Sequence, residues 1–397
     1  MLPTAVGPVA EAFAGVERIA VLRGGGLGDL FFAMPAITAL AQAYPQATIT
    51  LLGTPIHAAL LRDRPGPVDE VVVLPHAEGV RPRPATQEQD DAGEIERFLQ
   101  QMRTRSFDLA VQVHGGGRHS NGFLLGLGAR HTVGTATGDA PALERTVPYH
   151  YYQHEVLRAL EVVGAAGAST AAVSPALEVT EGDRAEAREA ADAVGADPEA
   201  PWLVVHPGAT DARRQWPTSS FAQLASQAAA DGYEVFLVGD DSEAGLAREI
   251  RSLATAGAVD ATGAAGAHMD RIHVLAGELG LGGLAGLLDS CTVMLGNDSG
   301  PRHLAQAVGA PTVGIFWVGN LIMAAPFERS RHRVHLGWVT RCPQCGIDVT
   351  QVGWNAPHCG HVFPLTAEVA VADVYADVQD LARRDAAMPT RRAAHQR

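Results

Sequence analysis

Thirteen residues near the start of the chain, Arg18-Ile-Ala-Val-Leu-Arg-Gly-Gly-Gly-Leu-Gly-Asp-Leu30, restrict the fold more than any other stretch. The apolar run Ile19 to Leu22 reads as a buried strand, Gly24, Gly26 and Gly28 follow it, and a helical apolar pattern starts near Asp29. Strand, glycine loop and helix form the opening unit of a doubly wound α/β domain. A dinucleotide fingerprint, G-x-G-x-x-G, needs glycine at 29, so that the helix packs close to the strand and its N-terminus faces a pyrophosphate. Asp29 would instead meet the phosphates with like charge. The second strand, Thr48 to Gly53, ends in Leu-Leu-Gly-Thr-Pro, with no acid to hold a ribose. The dinucleotide reading therefore fails at both ends, and the loop is left for chemistry that uses a base.

At 397 residues, 47% of them hydrophobic, the chain is long enough for two domains, each with its own core. No apolar run reaches the roughly 18 to 20 residues that span a bilayer. Met1 to Gly15 carries an acid, Glu11, and no basic n-region, so no signal peptide is expected and the expected location is cytoplasmic. A formal charge of −14 disfavours nucleic acid or an anionic membrane as partner, while leaving room for a local basic pocket. Four cysteines are too few for a disulfide scaffold.

Helical spacing of Leu30, Phe31, Met34, Ile37 and Leu40 and the closing Tyr44-Pro45 complete a β-α-β unit with the strand at Thr48. A strand over Val71 to Leu74, a polar loop from Arg81 to Gly93, a helix to about Arg105 and a strand over Phe107 to Val113 continue the alternation. The last of these runs into a second glycine-rich loop, His114-Gly-Gly-Gly-Arg118, so both loops are expected at the carboxyl edge of one sheet. Between Gly164 and Ala176 the composition shifts to Ala, Gly, Ser and Thr, and a charged helical segment follows from Glu181 to Val194. These signals place a first domain over 1–172 and a second over 173–364. A final segment over 365–397 reads as a helix, roughly Leu365 to Arg383, and a tail expected to be disordered. In the second domain strands are expected at Trp202 to Val205, Glu234 to Val238, Cys291 to Leu295 and Thr312 to Phe316, with helices between them.

Three of these second-domain strand ends carry polar loops. In His206-Pro-Gly-Ala-Thr-Asp-Ala-Arg-Arg-Gln-Trp-Pro217, Gly208 permits close approach of a phosphate, and Arg213 and Arg214 offer fork-shaped donors for its oxygens. Val238-Gly-Asp-Asp-Ser-Glu243 supplies Asp241 and Glu243, carboxylates suited to ribose hydroxyls or an adenine edge. In Leu295-Gly-Asn-Asp-Ser-Gly-Pro-Arg-His-Leu304, Asn297 to Ser299 read as a helix cap and Pro301 sits in the first turn. The exposed amides make that helix start an anion site. Asp298 is wrong for a phosphate on charge alone but suits a cap accepting backbone amides, leaving Ser299, Gly300 and His303 for the ligand.

Taken together, Arg23-Gly-Gly-Gly-Leu-Gly-Asp29 with Pro35 to Leu40, His206-Pro-Gly with Arg214-Gln-Trp-Pro217, and Gly296 to His303 with Ala307 to Pro311 resemble glycosyltransferase family 9, the ADP-heptose heptosyltransferases. The pieces lie in family order over about residues 17 to 320. The resemblance implies a GT-B fold, two Rossmann-like domains with parallel sheets facing across a cleft, the acceptor held mainly by the first and the nucleotide sugar by the second. It implies inversion at the anomeric carbon with no catalytic metal and no cofactor. Asp29 takes the place of the general base, Arg214 that of the family's basic residue before Trp-Pro, and Ser299, Gly300 and His303 that of the diphosphate-binding turn. The donor implied is an ADP-sugar, ADP-heptose above all, and the acceptor a glycan, a lipid-linked sugar or a small metabolite. Gly26, Gly28, His114 and Arg118 are the residues expected near the acceptor or its phosphate. Many family members carry serines where this chain has Gly24, Gly25 and Gly26, which points to a different acceptor.

Two further classes compete with this reading. An NAD-dependent enzyme acting on nucleotide sugars is opposed by Asp29 and by the missing ribose acid, and a non-catalytic nucleotide-binding protein would leave Asp29 as a plain helix cap. Separately, Cys342-Pro-Gln-Cys345 followed by His358-Cys359-Gly-His361 has the spacing of a structural zinc site, with a disulfide or free thiols as the alternatives.

Overall fold

The computed structural model describes residues 6–83, 91–257, 268–351 and 359–386. The chain divides into two compact units, one ending at Glu178 and the other starting at Val179. Each is built on one parallel sheet. The first contains β1 (Arg18–Leu22), β2 (Thr48–Gly53), β3 (Glu70–Val73), β4 (Leu109–Gln112), β5 (His131–Ala136) and β6 (Arg145–Pro148), in the order β3-β2-β1-β4-β5-β6. The second contains β7 (Trp202–His206), β8 (Glu234–Leu237), β9 (Ile272–Val274), β10 (Val293–Asn297), β11 (Thr312–Trp317) and β12 (His332–Gly337), in the order β12-β11-β10-β7-β8-β9. Counted from its own first strand, the second order repeats the first.

The central strands are nearly all apolar because helices cover both faces of a parallel sheet. Ile19, Ala20, Val21 and Leu22 of β1 are fully buried, as are Leu203, Val204 and Val205 of β7. In each sheet the strand order reverses beside the first strand, between β1 and β4 and between β7 and β10. Loops leaving two such neighbours diverge and open a crevice at the carboxyl ends. The glycine loops after β1 and β4, and the polar loops after β7 and β10, all leave from these two points.

Several elements differ from the expectation. β5, β6, β9 and β12 carry too short or too polar a pattern to stand out, yet each completes a sheet by pairing with a neighbour already in place. The helix after β1 runs Leu27–Ala43, starting two residues before the expected position and placing Asp29 in its first turn. The last helix is Val371–Ala386, starting six residues after Leu365, which lies in a turn. The tail expected to be disordered falls mostly outside the described residues, as does the middle of the loop expected over 81–93. Among the described residues no helix is long and apolar enough to cross a membrane.

Candidate functional site

In the first unit the site is organised by Arg23, the first residue after β1. Its guanidinium is 4% exposed. Nη2 donates to Oδ1 of Asp29 at 2.6 Å, Nε donates to the Asp29 carbonyl at 3.0 Å, and Nη1 donates to the Val113 carbonyl at the end of β4. Behind it stands Glu155, 3.4 Å from the same guanidinium and paired in turn with the buried Arg158. The other Asp29 oxygen, Oδ2, accepts the Gly26 amide at 2.8 Å. Burial opposes the charge of Asp29, but Arg23, the Gly26 amide, His114 and His57 together hold its carboxyl below the usual range. Its side chain nevertheless keeps 41% of its surface open. The result is an ionised, oriented carboxylate with a free edge.

The glycine loop is held from both sides. His57 accepts the Thr54 amide on Nδ1 at 3.3 Å, so Nε2 carries the proton and donates to the Gly26 carbonyl at 2.9 Å, while the Thr54 hydroxyl donates to Gly25. A side chain at 24 would put its Cβ 2.1 Å from the Val80 carbonyl, and one at 25, where φ is +91°, would strike the Asp29 carboxylate. At 26 a Cβ would meet only Asp29 Oδ2, at 4.0 Å. Glycine at 24 and 25 thus answers to the fold of this loop, which weakens the inference from three glycines to a different acceptor. Gly28 lies in the first helical turn. Burial depresses His114 to about 4, with Arg23 adding to the effect, so the imidazole beside Asp29 is neutral at physiological pH. Arg118 does not join this group: it is 71% exposed and faces Asp139 at 3.5 Å.

In the second unit His206, the last residue of β7, joins two loops. Its Nδ1 is 2.9 Å from the Ser299 hydroxyl and its Nε2 is 3.1 Å from the Glu243 carboxylate. Burial raises Glu243, but the bond and charge of His206 together with the Asp240 amide outweigh it, leaving the carboxyl below its ordinary value. Gly208 and Gly239 make room for it: a Cβ at 208 would lie 1.6 Å from Glu243 Oε1 and one at 239 would lie 2.6 Å from Oε2. Asp241 is exposed in the same turn.

Asp298 departs from the expectation. It caps no helix; its oxygens take side-chain donors instead, His303 Nε2 at 3.0 Å, Arg302 Nη2 at 3.5 Å and Asn320 Nδ2 at 2.7 Å, with Arg214 Nη1 at 4.0 Å. Although burial penalises the charge, these partners keep the carboxylate far below the ordinary range. Ser299 occupies the cap position of helix Gly300–Ala307 without a side-chain cap bond, because its hydroxyl is turned to His206. Asn297 likewise does not cap: its amide donates to the Pro207 and Gly208 carbonyls at 2.7 and 3.2 Å, and its carbonyl accepts the Trp216 amide at 2.9 Å. It therefore ties both ends of the 207–216 loop to β10. Of the two arginines in that loop, Arg213 is committed to Asp211, with Nη2 at 2.7 Å, and only Arg214 reaches the Asp298 cluster.

A family model for glycosyltransferase family 9 (heptosyltransferase) matches residues 95–343. The chain belongs to glycosyltransferase family 9. Lipopolysaccharide heptosyltransferase 1 of Pseudomonas aeruginosa is 24% identical over 335 residues, 83% of this chain and 86% of that protein. The family 9 glycosyltransferase structure from Veillonella parvula aligns with a TM-score of 0.72 at 18% identity, covering 93% of this chain and 97% of that one. Heptosyltransferase WaaC of Escherichia coli, solved with ADP, aligns at 0.58 with 19% identity, covering 81% and 93%. The family 9 fold is GT-B, and the two parallel sheets described above are its two Rossmann-like domains.

Within this family 9 chain, sequence reasoning missed Arg23, His57, Glu155 and Asn297 as organisers of the site. Arg23 had one available signal, a cation placed directly at a buried strand end. Glu155 had none, since it meets Arg23 from 132 positions away. Apart from these loops, the described residues bring Cys342, Cys345, Cys359 and His361 together, their ligand atoms all within 4.8 Å of one another. His358, named beside them in the sequence, lies outside the described residues.

Proposed function

We propose that this glycosyltransferase moves a heptose, or a closely similar sugar, from an ADP-linked donor to an acceptor hydroxyl with inversion, using Asp29 as general base. The observation that carries the reading is the Asp29 carboxylate, held by Arg23 and the Gly26 amide and open along one edge. Residue 29 precedes the span matched by the family model, so its role rests on this geometry and on the family motif around it. A depressed carboxyl is a weak base for a ground-state alcohol. It suffices here because the hydroxyl becomes acidic as its oxygen bonds to the anomeric carbon, and transfer of the proton can follow that bond.

On the donor side the bond from the anomeric carbon to the diphosphate breaks, and the leaving group gains negative charge. Ser299, the amides at the start of helix Gly300–Ala307 and Arg214 are assigned to that charge. In this reading His206 and Glu243 set the orientation of the Ser299 hydroxyl, and Asp298 sets that of His303 and Arg214. In the same reading Asp241 and Glu243 are assigned to the ribose hydroxyls or the adenine edge. WaaC, whose structure contains ADP, and the curated heptosyltransferases support the donor class.

The test is a transfer assay with ADP-, UDP- and GDP-sugars, with the anomeric configuration of the product read by NMR. An ADP-heptose-dependent product of inverted configuration is expected. Turnover only with another nucleotide, or retention at the anomeric carbon, would overturn the reading.

A further inference from the structure

The cysteine and histidine cluster plays no part in the transfer chemistry. Cys345 and Cys359 sulfurs are 3.4 Å apart, Cys359 Sγ is 3.4 Å from His361 Nδ1, and Cys342 Sγ is 3.5 Å from the same nitrogen. A disulfide needs a sulfur separation of about 2.05 Å. Four ligands around one tetrahedral zinc, with Zn–S about 2.3 Å and Zn–N about 2.0 Å, stand roughly 3.5 to 3.8 Å from one another. These three separations are far too long for a disulfide and close to the second geometry, and all four ligand atoms lie within 4.8 Å of one another.

The local backbone is shaped for the same purpose. Cys342-Pro-Gln-Cys345 turns tightly and is closed by Gly346, whose φ is +72° and whose amide donates to the Cys342 carbonyl at 2.9 Å. Between the end of β12 and helix Val371–Ala386 the described chain forms only an isolated bridge, Arg341 to Asp348, and a short 3-10 turn. Its apolar cluster contains Cys342, Val349, Cys359 and Leu365, with Trp317, Val339, Ile347 and Phe363 packed against it.

We infer that Cys342, Cys345, Cys359 and His361 bind one Zn²⁺ ion, and that this structural site holds the loop carrying Arg214 in place. Three thiolates and one imidazole form a closed, soft, four-ligand shell, the donor set of a structural zinc with no open position for chemistry. The clasp is formed by the residues that follow His361. The Leu365 amide donates to the Arg213 carbonyl at 2.6 Å, the Thr366 hydroxyl donates to the Gln215 carbonyl at 3.1 Å, and Trp216 Nε1 donates to the Val369 carbonyl at 3.0 Å. Arg214 lies between the two clasped carbonyls. The ion is thus a positioning element acting through backbone, and its effect on the donor rests on the function proposed above.

The full chain, purified without chelator, is expected to contain about one zinc per chain by inductively coupled plasma mass spectrometry. Replacement of zinc by Co²⁺ is expected to give the visible bands of a tetrahedral thiolate complex. Cys345→Ser should lose both signals, while Cys291→Ala, altering a cysteine elsewhere in the same unit, should retain them. If Cys345→Ser does not fold, cobalt titration of the chelator-treated wild-type chain provides the same readout. A metal-free chain with a Cys345–Cys359 disulfide, or iron in place of zinc at equal stoichiometry, would overturn the zinc assignment. Calorimetry with ADP tests the clasp: removal of zinc should weaken ADP about tenfold, or about 1.4 kcal/mol. Unchanged ADP affinity in the metal-free chain overturns the clasp, and failure of the zinc-loaded chain to bind ADP overturns the donor reading while leaving the metal site intact.

Discussion

Arg23 and Asp29, six positions apart, are joined twice, by guanidinium to carboxylate at 2.6 Å and by guanidinium to backbone carbonyl at 3.0 Å. The second bond fixes the first turn of the helix relative to the strand end, and the first fixes the carboxylate within that turn. Arg23 is also the largest of the groups that hold the Asp29 carboxyl below its ordinary range.

Arg23→Gln should therefore move the acid limb of the kcat/KM profile to higher pH. The sign follows from the shift: Arg23 lowers the folded carboxyl, the base form exists above that value, and loss of the cation raises the threshold. Because Glu155 and the Val113 carbonyl lose a buried partner as well, urea denaturation should show a loss of about 3 kcal/mol. An unshifted acid limb in a folded variant would count against Asp29 as the base.

Asp29→Asn keeps the shape of the side chain and removes its basicity. Expected is a fall in kcat of about 10²- to 10⁴-fold, with ADP affinity by calorimetry unchanged, since the assigned nucleotide contacts lie in the second unit. Wild-type turnover in this variant would fit the helix-cap reading instead.

Gly24→Ala and Gly26→Ser should separate packing from tolerance within one loop. At 24 the added Cβ would meet the Val80 carbonyl at 2.1 Å, whereas at 26 the nearest atom lies 4.0 Å away. Thermal melts should show a loss of about 1–3 kcal/mol for the first and a change within about 0.5 kcal/mol for the second. Equal losses would mean that the backbone around Gly24 relaxes freely.

Asp298→Asn removes the anion on which Arg302, His303 and Asn320 converge, leaving a fully buried guanidinium without its counter-ion. Denaturation at neutral pH should show a loss of about 3–5 kcal/mol. The depressed Asp298 carboxyl contributes stability that is present above its unfolded value and is lost as pH falls toward the folded one. The variant should accordingly show a flatter acid dependence. Arg302→Met should be milder, because Asp298 keeps His303 and Asn320 as partners, while Nε and Nη1 of Arg302 have no hydrogen-bond partner and the side chain stacks on Phe316.

Much of the architecture was legible in local pattern. Apolar runs marked β1, β2, β3, β4, β7, β8, β10 and β11, and glycines and charged residues marked several of the loops at their carboxyl ends. The edge strands β6 and β9 escaped notice because β9 spans only Ile272–Val274 and β6 alternates half-buried and exposed positions, so neither displays a buried-strand pattern. The cysteine spacing was visible as a possible site, but only the sulfur separations, which spacing cannot supply, argue against a disulfide.

By itself the sequence determined which residues stand at strand ends, because hydrophobic period and glycine placement are local properties of the chain. Only the tertiary structure decided what those residues do for one another. Asp298 changed from a helix cap to the anchor of a buried cation cluster because Asn320 reaches it from 22 positions away. Ser299 was drawn to His206 across 93 positions, and Arg23 to Glu155 across 132. A buried charge must find a partner wherever the fold supplies one, and parallel sheets bring strand ends together that are far apart in the chain.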